Sequence, residues 1–148
     1  GQGPNAGDPP RLLWKLLADM AAYKGRLDGT EEGITAATSL ALSALKAADK
    51  AQSDRGIVTA HLLAADFLQK SKQIEKAQKH LKSAMERLSR IGDRKALASA
   101  YLKAAQYSDD ESRAASLLKQ AYQLSWEIGW QEGMKKATNT RIQNDQVA

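Results

Sequence analysis

Few side chains in this sequence could move a proton, hold a metal or grip a phosphate. They are His61 and His80, the lysines at 70, 72, 76, 79 and 82, and two acidic groups, Glu31 with Glu32 and Asp109 with Asp110 and Glu111. A helical zinc site needs ligands one turn apart, at i and i+4, and neither histidine has such a partner. With no cysteine in the chain, thiolate ligands, thiolate nucleophiles and disulfides are all excluded. We therefore expect no metal site, no cofactor, no catalytic residue and no enzyme activity.

The acids sit where helices begin, and there the helix dipole favours negative charge without any metal. Lys70, Lys72, Lys76, Lys79 and Lys82 form the most basic stretch, and three of them recur at helical spacing. No aromatic side chain interleaves with them, so the stacking that a single-strand binder uses is missing and a solvated outer face is the preferred reading. Nucleic-acid binding through these lysines ranks last among the functions weighed, and it predicts a steep loss of affinity with salt. GQGPNAG at the start resembles a glycine-rich phosphate loop only in composition, since no strand precedes it and no Gly-Lys-Ser/Thr follows.

Those side chains must be positioned by helices. Ala, Leu, Lys, Gln and Glu dominate, aromatics are 5%, and Pro occurs only at positions 4, 9 and 10. The formal charge of +5 is spread among acids and names no partner. No apolar run reaches the roughly 18–20 residues that span a bilayer. The expectation is a soluble chain, with the cytoplasm favoured over the periplasm.

One domain is predicted: a flexible lead over 1–8, helices over 9–143 and a frayed tail over 144–148. The first helix starts at Pro9 and runs to about Lys24. Leu12, Leu13, Leu16, Leu17 and Met20 form its apolar stripe beside Trp14, which we assign to the core. Gly25 to Gly33 reads as a loop, with Thr30 capping the second helix. Ser53 or Asp54 caps the third, the fourth covers Gln73 to Arg90 and stops at Gly92, and Asp93 starts the fifth. Ser108 or Asp109 caps the sixth, which ends near Gly129, and the seventh covers Gln131 to Gln143. Trp126 and Trp130 fall where an array must cover its last apolar face; an exposed one would be a candidate anchor for another protein.

The helices repeat. Ala, three residues, Leu, two residues, Ala occurs at Ala41, Leu45, Ala48, at Ala77, Leu81, Ala84 and at Ala114, Leu118, Ala121, with copies 36 and 37 residues apart. A second register pairs TAHLLAADF from Thr59 with SAYLKAAQY from Ser99. Tyr101 thereby takes the place of His61, which marks His61 as a packing residue. Small residues at fixed positions let helices approach closely, and the Leu between them fills the gap.

On Ala65, Phe67, Ala77, Leu81 and Ala84, with Ile91, Gly92 and Asp93 at the junction, the chain resembles the tetratricopeptide-repeat family, in its longer-helix subgroup. The resemblance covers roughly Ile34 to Ile142. Lys72 stands where a Gly commonly turns the hairpin, and the usual helix-ending Pro is missing. It implies an all-α fold of about seven helices, with antiparallel helix hairpins stacked as a short right-handed superhelix. It also implies a concave groove lined by the first helix of each hairpin, at Thr59, Leu62, Asp66, Lys70, Ser99, Leu102, Gln106, Lys136, Asn139 and Gln143. The function implied is a non-catalytic protein–protein interaction or scaffold module holding a peptide or helix. The alternative is an oligomerisation or regulatory sensor module of a larger signalling or transcription protein, working as a homo-oligomer.

Overall fold

The computed structural model describes the backbone of residues 8–147 and the side chains of residues 12–140. The lead assigned to 1–8 lies outside the described residues up to residue 7, and Asp8 is already helical. Seven helices and no strand are present among the described residues: α1 (Asp8–Leu27), α2 (Glu31–Lys50), α3 (Asp54–Lys70), α4 (Ile74–Ile91), α5 (Arg94–Tyr107), α6 (Glu111–Glu127) and α7 (Gln131–Val147). The chain divides into two compact units, the first ending at Ala84 and the second beginning at Met85, so the division falls within α4.

Helix starts follow local chemistry. Oxygens on Thr30, Ser53 and Asp93 accept from the backbone N–H groups of Gly33, Gly56 and Ala96 at 3.1, 3.0 and 3.1 Å. Each satisfies a donor that has no partner inside its own helix. The cap of α6 is Asp110, not Ser108 or Asp109: its carboxylate accepts from Ser112 and Arg113, while Ser108 ends α5. The loop expected over Gly25–Gly33 shrinks to residues 28–30, because Gly25 stays in α1 and Gly33 falls in the first turn of α2. α7 continues to Val147 through the residues read as a frayed tail, since no Gly or Pro after Gln143 stops it.

Four helix ends share one device. Gln52, Lys72, Gly92 and Gly129 have φ of 52°, 63°, 76° and 69°. At each, that residue's N–H bonds three residues back and the next N–H bonds five back, as in Lys72 to Gln69 and Gln73 to Leu68 at 3.0 and 2.9 Å. This is the Schellman arrangement, which closes the last helical carbonyls with a left-handed residue. Left-handed backbone crowds any Cβ, so two of the four turns are strained. We expect Lys72→Gly to raise the unfolding free energy by about 0.5–1 kcal/mol, the relief being partly offset by a more flexible unfolded chain. Urea titration followed by circular dichroism measures it, and an unchanged midpoint would mean that the turn carries no strain.

In the first unit α1 packs on α2, α2 on α3, and α1 also reaches α3. Ala18, Ala44 and Ala60 share one cluster, and Ala21, Ala41 and Ala64 share the next. As the chain ascends α1 and α3 it descends α2, so neighbours run antiparallel. Most of these buried side chains are alanine, which allows axes to approach toward the short end of the usual 8–10 Å. Ala77 of α4 joins Ala64, Phe67 and Leu68 in the same core. In the second unit α5 packs on α6, α6 on α7, and α5 reaches α7.

The repeated residues are core residues. The three Ala pairs at 41 and 48, 77 and 84, and 114 and 121 are all buried, as are Leu81 and Leu118, while Leu45 is half-buried. The second register behaves alike, with Ala60, Ala64, Ala65 and Phe67 buried in α3 and Ala100, Ala104 and Ala105 in α5. Periodicity in the sequence thus corresponds to contact faces in the fold.

Candidate functional site: exposed faces of the helices

α1 departs most from its sequence reading. Its buried side carries Trp14, Leu17, Ala18 and Ala21, which pack against α2 and α3. Leu12, Leu13, Leu16 and Met20, assigned to the core, face solvent instead. Together with Tyr23 and Leu27 they are 43 to 70% exposed. The physical reason is that α1 is apolar on two sides. Trp14, Leu17, Ala18 and Ala21 fill the side that meets α2 and α3, which leaves the second apolar side to solvent. Beside the stripe, Asp19, Met20, Tyr23, Lys24, Leu27 and Leu40 of α2 line a hollow of about 480 Å³.

Past Leu27 the chain turns on Asp28, whose carboxylate accepts from the backbone N–H of Thr30 at 3.0 Å and from its hydroxyl. Those bonds, helped by Lys24 at 3.7 Å, hold the Asp28 pKa below the usual carboxylate range. The turn fixes where the exposed stripe ends.

The groove residues divide between the units. On α3, Thr59, Leu62 and Asp66 are half-buried and Lys70 is exposed, and their spacing puts all four on one side of the helix. Asp66 is already engaged in an interaction within the chain. Lys70 borders a cleft of about 680 Å³ lined also by Glu31, Thr35 and Lys72. In the second unit Ser99, Gln106, Lys136 and Asn139 are exposed, and Lys136 pairs with Glu132 at 3.4 Å. The side chain of Gln143 lies outside the described residues. Leu102 is a correction: it is 7% exposed and belongs to the core. α5 buries Ala98, Ala100, Ala104 and Ala105 as well, whereas the equivalent Leu62 of α3 is half-buried, so repeat equivalence carries residue type but not exposure.

Of the two late tryptophans, Trp126 is 67% exposed on α6, one turn beyond exposed Tyr122. Trp130 is half-buried, with the Lys95 ammonium 5.3 Å from its ring centroid. Trp126 is therefore the one that meets the condition for an anchor.

His61 and His80, which the sequence leaves on separate helices, meet across α3 and α4 with Nδ1 atoms 2.9 Å apart and ring centroids 5.1 Å apart. The packing of Ala64 with Ala77 in one core cluster sets this contact. In an antiparallel pair, stepping back from Ala64 and forward from Ala77 by equal amounts reaches His61 and His80. One Nδ1 must donate and the other accept, so the bond is lost when both rings are protonated. Burial also lowers the His80 pKa. A His whose folded pKa lies below its unfolded value near 6.5 binds its proton less readily in the native state. Its stabilising contribution is complete above that value and declines as pH falls toward the folded pKa. We expect the melting temperature to drop as pH falls through and below the ordinary histidine range, and His80→Gln to flatten that slope. Thermal scans across this range decide; equal slopes for both proteins would count against the pair.

Among the described residues no three His, Cys, Asp or Glu side chains converge on a common point, and no helix is long and apolar enough to cross a membrane. The fold and these faces define the chain as an all-helical protein with apolar side chains left exposed. No known protein family, curated protein or solved structure matches it.

Proposed function

We propose that this chain is a non-catalytic protein–protein interaction module of tetratricopeptide-like helix hairpins, and that α1 is its principal binding face. The observation that carries this reading is the exposed row of Leu12, Leu13, Leu16, Met20, Tyr23 and Leu27. Its exposed apolar area is on the order of 600 Å², at the top of the range for the largest patch on an ordinary monomer. Exposing it lowers solubility and gives the fold nothing, because α1 is already anchored by its other side. A helix with an apolar stripe of its own is the partner such a ridge suits.

Site-specific photocrosslinking tests the reading. A crosslinker at Leu16 should give adducts of discrete mass in an extract of the source cells, and one at exposed Ser39 of α2 should not. Met20→Glu introduced alongside should abolish the Leu16 adducts. Equal or absent labelling at the two positions would overturn the assignment of α1. A second reading, an extended peptide along α3, is favoured by Thr59, Leu62, Asp66 and Lys70 sharing one side of that helix.

A further inference from the structure

We propose that the partner of α1 is α1 of a second copy of this chain, the two helices pairing antiparallel about a twofold axis; this rests on the reading of α1 as the binding face. Leu13, Leu16, Met20, Tyr23 and Leu27 alternate by three and four residues, the spacing at which one helix seats its side chains between those of another. All five are exposed, whereas on the opposite side of α1 Ala18 and Ala21 are buried and Trp14 and Leu17 are half-buried. The hollow that ends at Leu40 extends the stripe sideways and offers a seat for an incoming side chain.

Charge selects the copy and its register. Asp19 and Arg26 lie seven residues apart on one flank of the stripe, both exposed, and neither joins an ion pair among the described residues. Set Met20 opposite Tyr23 of the second copy and Leu16 opposite its Leu27, and Asp19 comes to face Arg26 of that copy. Twofold symmetry makes the pair twice. Sliding by one heptad, so that Leu16 meets Met20, sets Asp19 against Asp19 and is disfavoured. A parallel pairing would offer Asp19 only Lys24, whose ammonium Asp28 already holds at 3.7 Å. The surface is thus complementary to itself in one arrangement. The roughly 600 Å² of apolar side chain on each copy, with its polar rim, comes close to the ≈ 800 Å² per partner of a standard interface.

Sedimentation equilibrium on the full chain from low-micromolar to near-millimolar concentration tests it. We expect a concentration-dependent shift from the 16.1 kDa monomer to a dimer. Met20→Glu should abolish the shift while leaving helicity unchanged, as its side chain is not in the core. Asp19→Arg and Arg26→Asp should each weaken association by about tenfold, and the double exchange should restore it to within a few-fold of wild type. A strict monomer throughout, or a double exchange no better than the singles, overturns self-pairing. The crosslinking result then separates the two readings. Adducts of other masses at Leu16 leave α1 a binding face for a different protein, and no adduct removes both.

Discussion

Leu81→Ala is expected to lower the unfolding free energy by about 3 kcal/mol, within the roughly 2–5 kcal/mol that follows truncation of a buried leucine. Leu81 is 2% exposed, between Ala77 and Ala84, which are both fully buried. The cost has two parts: the transfer energy of the lost methyl groups, and the void they leave. Here the void term is not small. On its own helix the adjacent turns supply the buried Ala77 and Ala84, and alanine has no rotamer freedom with which to refill a hole. Leu45 holds the same place in the repeat but is half-buried, so Leu45→Ala should cost about half as much. Urea titrations of the two variants measure both numbers. Equal losses would show that sequence repetition, rather than burial, sets the energetics. A loss under about 1 kcal/mol at Leu81 would mean that α4 does not pack as described.

That contrast marks what the sequence reveals. Helix positions were legible because their ends are written in local chemistry: Thr30, Ser53 and Asp93 cap as their side-chain oxygens dictate, and Gly92 and Gly129 accept a left-handed backbone. The core of α2, α4 and α6 was legible because small residues at a fixed spacing have one physical use, close approach. The binding face was not. α1 offers Leu12, Leu13, Leu16 and Met20 on one side and Trp14, Leu17, Ala18 and Ala21 on the other, and a hydrophobicity scale prefers the first set for the interior. Fit decides otherwise, since a neighbour lined by Ala37, Ala41 and Ala44 leaves room for alanine against alanine. Leu102 failed in the opposite sense, as a position equivalent to a half-exposed Leu62 that its own helix turns inward. The histidine contact required register between helices, and that follows only after Ala64 is placed near Ala77.

Gly56→Ala tests that close packing where α1, α2 and α3 converge, and two opposing effects can be weighed in advance. Gly56 lies in the first turn of α3, so on helix propensity alone alanine should stabilise by at most about 1 kcal/mol. A Cβ built there would stand 2.7 Å from the ring of Trp14 and 2.8 Å from the Cβ of Ala48. Both are closer than carbon atoms pack, and neither neighbour is the loose end of a flexible chain. Overpacking of this kind costs about 1–3 kcal/mol. Because the indole and Ala48 crowd the new methyl from different helices, we place the cost toward the upper end and expect a net loss of about 1–2 kcal/mol. The cause is separable from a general effect on α3 by a double-mutant cycle with Trp14→Leu, which removes most of the ring. If the clash dominates, Gly56→Ala should cost much less, or even stabilise, in the Trp14→Leu background. Additive losses would place the strain elsewhere. The same cycle bears on function. The indole that meets Gly56 is what seats the buried side of α1, so displacing it should shift the exposed stripe and weaken the proposed α1 pairing in parallel with stability.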